Sequence, residues 1–117
     1  MVSGLLGASG VALGAVAAHA LSNPQASIAI ERASTYQIIH AIAILLIAQI
    51  AGRTAALARW LMLFGVLGFS GAIYAKYLAG LTSWGQLAPV GGMLLIVAWL
   101  VLAVSYFLPM VAPDESS

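Results

Sequence analysis

The side chains in this sequence best suited to move a proton or hold a cofactor are His19, His40 and Tyr36. Tyr36 and His40 stand four residues apart with Gln37 beside them, so on a helix they share one face. Tyr74 and Lys76 complete the candidate polar cluster. In apolar surroundings such imidazoles mark a proton relay, a cofactor ligand or a quinone-type site. The same residues can also act only as fasteners. His, Tyr and Gln hydrogen-bond across helices, and a lysine extends its charge to the interface. The fastener reading is preferred, because the partners that chemistry needs are missing.

Two histidines and a distant Glu31 make a poor zinc set, and with no cysteine there is neither thiolate ligand nor disulfide. No Ser-His-Asp set or phosphate-binding loop is present. No enzyme activity, no metal and no resident cofactor are therefore expected. A haem held by His19 and His40, or a quinone, is the alternative. Small multidrug exporters use a carboxylate in the first span, and residues 1–30 contain none. Diheme four-helix cytochromes need about four histidines.

The elements that must position these residues follow from composition. Of 117 residues, 63% are hydrophobic and 6% charged, where a soluble domain carries about a quarter charged. The mean hydropathy is +1.09. A net charge of +1 offers no field for nucleic acid. The charges divide the chain into four apolar blocks, 2–21, 35–51, 59–78 and 89–108, followed by a polar tail at 109–117. Each is close to the roughly 20 residues that cross a bilayer. The expected fold is all-α, one integral domain of four spans in a tight bundle, with both termini on the same side.

Met1 to Gly10 lacks the basic start of a secretory signal, so the first block is read as a true helix. Asn23-Pro24 predicts a cap and first-turn proline, with 25–34 outside the bilayer core or along its interface. Gly52 is expected to close the second helix and Thr54 to cap the third. Pro89 suits the first turn of the fourth helix, and Pro109 and Pro113 its end. Lys and Arg divide evenly between the two sides, so orientation is left open. On these boundaries His19 and His40 fall near the same interface, His40 as a neutral imidazole paired across helices.

Small residues should pack the helices, since lipid gives no hydrophobic drive between them. Gly7, Gly10 and Gly14 share a face of the first helix; Gly65, Gly68 and Gly71 repeat the device in the third. Gly91 and Gly92 serve the fourth. The run 14–21 can be laid over 71–78, which hints at an internal duplication.

Four blocks carry a family resemblance. Gly14-Ala15-Val16-Ala17-Ala18-His19-Ala20-Leu21 resembles the GAFGAHAL segment of the YgdD/YwdK family of small bacterial inner-membrane proteins. Tyr36-Gln37-Ile38-Ile39-His40-Ala41 is similar to its YQxxHA, and Phe69 to Tyr74 to its FSGSLY. Ala88-Pro89-Val90-Gly91-Gly92 resembles its TPIGG, with Trp99 after it. Val16 and Ala17 depart from the pattern, which has an aromatic residue and a glycine there. The resemblance implies a multi-pass, four-helix inner-membrane protein and no activity, the family being a domain of unknown function. The expected role is an accessory or stabilising subunit of a larger membrane assembly, in contact with lipid and with a membrane-protein partner or a second copy. The alternative is a small cofactor- or quinone-binding redox module built on His19, Tyr36 and His40.

Overall fold

The computed structural model describes the chain over 1–19 and 21–111, with side-chain surroundings to residue 107. Four long helices form: α1 (Val2–His19), α2 (Pro24–Ile47), α3 (Arg53–Leu78) and α4 (Ala88–Val111). All are long and apolar enough to cross a membrane. Among the described residues there is no strand.

The α2 start is as the sequence predicts. Asn23 Oδ1 accepts from the backbone N–H groups of Gln25 and Ala26, and Pro24 occupies the first turn, where no donor is missed. The helix therefore begins well before residue 35. The α2–α3 turn corrects two expectations. Gly52 does not close α2, which ends at Ile47; it is the residue before α3, at φ 114°, a conformation side chains resist. Thr54 lies inside α3, which starts at Arg53 rather than Arg59. A solvated arginine in a first turn does not stop a helix, so the charge marked the end of the apolar block and not of the helix.

At the other end of α3, Gly80 at φ 72° turns the chain out, and the Leu81 N–H returns to the Ala75 carbonyl. A short 3-10 helix, Thr82–Leu87, then leads into α4. Pro109 does not end α4, which runs on to Val111. So close to a terminus a proline forfeits one ladder bond rather than a helix. Ala20 and the tail residues 112–117, with the expected stop at Pro113, lie outside the described residues.

Packing follows chain order: α1 on α2, α2 on α3, α3 on α4. Among the described residues α1 and α4 do not come into close contact, so the four helices form a bundle left open between its first and last members, with side chains of α2 also reaching α4. Small residues explain the order. A Cβ on Gly10 would strike Ile38, and one on Gly14 would strike Ser34 Oγ, each at 2.8 Å, so both glycines let α2 approach α1. Gly65 does the same for Leu95, and Gly68 lies against the Gly91 backbone. The apolar core gathers toward the α2–α3 turn, around Ile44, Ile47, Ala55, Met62 and Ala98.

Candidate functional site

Helix α2 sits inside the bundle and presents polar groups on two faces. On one face Gln37 is 4% exposed and fully engaged. Its Nε2 donates to the Leu6 carbonyl and to Ser9 Oγ, both at 2.7 Å, and its Oε1 accepts from the Tyr74 hydroxyl at 2.7 Å. One amide thus ties α1, α2 and α3 together. Serines extend the same seam: Ser34 Oγ donates to the Gly10 carbonyl, Ser27 Oγ to Ala17, and Ser70 Oγ from α3 to Ala33.

On the other face His40, also 4% exposed, meets α4. The Trp99 indole N–H donates to His40 Nε2 at 3.1 Å, and His40 Nδ1 lies 2.6 Å from the Tyr36 carbonyl. An acceptor Nε2 requires the proton on Nδ1, so the bonds define a neutral imidazole with both nitrogens used. The two rings meet edge-on at 5.9 Å. Tyr36 packs edge-on against Phe69 at 5.3 Å, and among the described residues its hydroxyl has no partner.

The structure therefore divides the predicted cluster. Gln37 joins Tyr74; His40 joins the Tyr36 backbone and, unforeseen, Trp99. Lys76 stands apart, its amine 5.0 Å from the centre of the Tyr77 ring and its stem against Gly85. His19 is exposed at the end of α1. From the Ala17–Ser27 and Leu6–Gln37 pairings, His19 and His40 lie about 20 Å apart along the helix axis. They do not share a level: α2 starts at Pro24, so His40 is deep in its helix. Among the described residues no three His, Asp or Glu side chains converge, and no buried side-chain N or O lacks a partner.

Sequence reasoning passed over Ser27, Ser34 and Ser70. A usable signal was present for the first two, because Ser27 and Ser34 are seven apart, and so are Gly10 and Ala17. That is two helical turns on each of two antiparallel helices.

Tyr36, His40, Phe69 and Trp99 also line a groove of about 420 Å³ between α2 and α4, floored by α3. Beside it Glu31, Arg32 and Thr35 form a polar mouth on α2, which Tyr36 also borders.

Residues 13–92 match a family described as protein of unknown function (DUF423). A UPF0382 membrane protein of Staphylococcus saprophyticus is 37% identical over 103 residues, 83% of this chain and 86% of that one. One from Haemophilus influenzae is 39% identical over 103 residues, 83% of each chain. One from Staphylococcus epidermidis is 40% identical over 78 residues, 64% of each. No solved structure matches. The chain belongs to the DUF423 family and is a multi-pass membrane protein.

Proposed function

Starting from that membership, we propose that the chain is an accessory or stabilising subunit of a larger bacterial inner-membrane assembly, and not an enzyme. We also read the family as the YgdD/YwdK family that the four sequence blocks resemble. One observation carries the reading: the bundle is open between α1 and α4, and its close-packing surface is only partly used. Gly4 and Gly7 on α1 and Gly71 on α3 have nothing within 4 Å of the space a Cβ would fill. Only 17% of the apolar windows of α1 and α4 is buried. Helices in lipid associate through such small-residue surfaces, so α1 and α4 are the helices a second copy or another membrane protein would seat against.

The polar groups support the same reading. Gln37, His40, Ser34 and Ser70 spend their hydrogen bonds inside the bundle. A haem between His19 and His40 has no place in this account, because the two stand far apart and Trp99 occupies the His40 lone pair. With four spans, we read both termini as lying on one side of the membrane. Cysteine labels at residues 2 and 116, in a chain with no native cysteine, should react from the same face.

Native mass spectrometry of the chain extracted in native-membrane nanodiscs tests the role. The expected species is a defined complex that Gly4→Leu with Gly7→Leu dissociates. Release as a bare 12.0 kDa monomer from every preparation would sink the proposal.

A further inference from the structure

The groove between α2 and α4 has two features that a mere gap between helices would not need. Its walls are aromatic: the Tyr36–Phe69 and His40–Trp99 pairs each meet edge-on, at 5.3 Å and 5.9 Å. Gly92 lines the α4 wall, and the only atom near its Cβ position is on the Phe69 ring, at 3.7 Å. The volume, about 420 Å³, falls within the range of small-molecule sites. The second feature is the Tyr36 hydroxyl. The other polar side chains along this groove are satisfied: the Trp99 indole N–H donates to His40 Nε2, and His40 Nδ1 bonds to the Tyr36 carbonyl.

Tyr36 is 42% exposed and, among the described residues, its O–H has no acceptor. It lies twelve residues into α2, about 18 Å from the Pro24 end. An exposed phenol O–H bordering an apolar, aromatic groove is free to donate to a ligand seated there. A ligand that fits must therefore be flat, largely apolar, uncharged where it meets the rings, and able to accept one hydrogen bond at its edge.

We propose that this groove binds the head ring of a membrane-soluble quinone, a ring carbonyl accepting from the Tyr36 hydroxyl and the isoprenoid tail leaving past Met93 and Ile96. Phe69 and Trp99 both line the groove and offer aromatic surface to a planar ring, while Tyr36 borders both the groove and the polar patch of Arg32 and Thr35. His40 acts here as a positioning residue: by accepting from the indole N–H it holds Trp99 as the far wall. No electron transfer is part of the proposal, which is binding alone. It stands independently of the accessory-subunit reading, because the isolated chain forms the groove by itself.

The test uses the full chain in nanodiscs with Trp60→Phe and Trp84→Phe, leaving Trp99 as the reporter. Titration with ubiquinone-1 should quench its emission saturably. Tyr36→Phe, which keeps the ring and removes only the hydroxyl, should raise the midpoint about fivefold, the loss of one hydrogen bond. Gly92→Leu should fill the groove and abolish saturable quenching with helical circular dichroism unchanged. Quenching that is linear in ubiquinone-1, or that saturates at the same midpoint in Tyr36→Phe, overturns the proposal. So does saturable quenching by a phospholipid brominated on its acyl chains that ubiquinone-1 does not relieve, which would make the groove a lipid-chain site.

Discussion

Along the α1–α2 seam, hydroxyl and amide groups of Ser27, Ser34 and Gln37 donate to backbone carbonyls of Ala17, Gly10 and Leu6. Along the α3–α4 seam, among the described residues, no side-chain hydrogen bond crosses at all. There the glycines bring backbone to backbone, Gly91 against Gly65, Gly68 and Phe69. Both arrangements suit helices in lipid, where the association must come from packing and polar contacts. They differ in how they fail. A seam of several hydrogen bonds loses one at a time, whereas a seam of touching backbones opens as a unit when one atom is added.

The harshest way to probe that difference is Gly91→Ala. The new Cβ would overlap the Phe69 amide and approach Gly68 and the Gly65 carbonyl, all backbone atoms that cannot rotate away. The helices must separate over the whole contact, so a loss of about 3 kcal/mol or more is expected. Unfolding of the purified chain by denaturing detergent, followed by circular dichroism, would show it. A loss as small as that of a single hydrogen bond would mean that the seam yields locally.

The polar side is broken by removing its hub. Gln37→Leu should cost about 2 kcal/mol, because three bonds averaging about 0.6 kcal/mol each disappear. His40→Leu removes only the link to Trp99 and the bond back to its own helix, and about 1 kcal/mol is expected. The same unfolding assay ranks them. If His40→Leu proved the worse of the two, α4 would depend on its imidazole more than on its glycines, and the contrast between the seams would collapse.

The parts of this architecture legible in the sequence are those that depend on composition or on one short motif. Four apolar blocks give four spanning helices, and Asn23-Pro24 gives the α2 start, because solvation and capping act locally. Helix ends marked by charge were misplaced, since Arg53 and Arg59 sit within one helix that continues past both. The open bundle was not legible, because which helix touches which depends on where small residues face across antiparallel neighbours. The candidate cluster was half legible. Tyr36, Gln37 and His40 share a helix and could be grouped by spacing, yet Gln37 and His40 turn to different neighbours. Trp99 could join His40 only through the fold, from 59 residues away. The aligned repeats show the same limit: Gly14 and Gly71 correspond in sequence, but Ser34 fills the space at Gly14 while Gly71 faces none.

That last pair supplies the mildest test. Gly7 and Gly71 were grouped with the packing glycines by spacing alone, but neither meets an atom where a Cβ would go. Alanine is a better helix former than glycine by about 1 kcal/mol, because glycine gives up more backbone freedom on ordering. Where no neighbour is displaced only that preference remains. Gly7→Ala and Gly71→Ala should therefore leave the isolated chain as stable as before, or more stable by up to about 1 kcal/mol. Gly10→Ala, three residues from Gly7 on the same helix but pressed by Ile38 at 2.8 Å, should lose stability in the same assay. If Gly7→Ala or Gly71→Ala instead destabilises the isolated monomer, α1 and α3 approach each other more closely than the open bundle allows. If the monomer is unaffected and a native complex dissociates, the unused glycines face a partner, which the isolated chain's own packing would leave untouched.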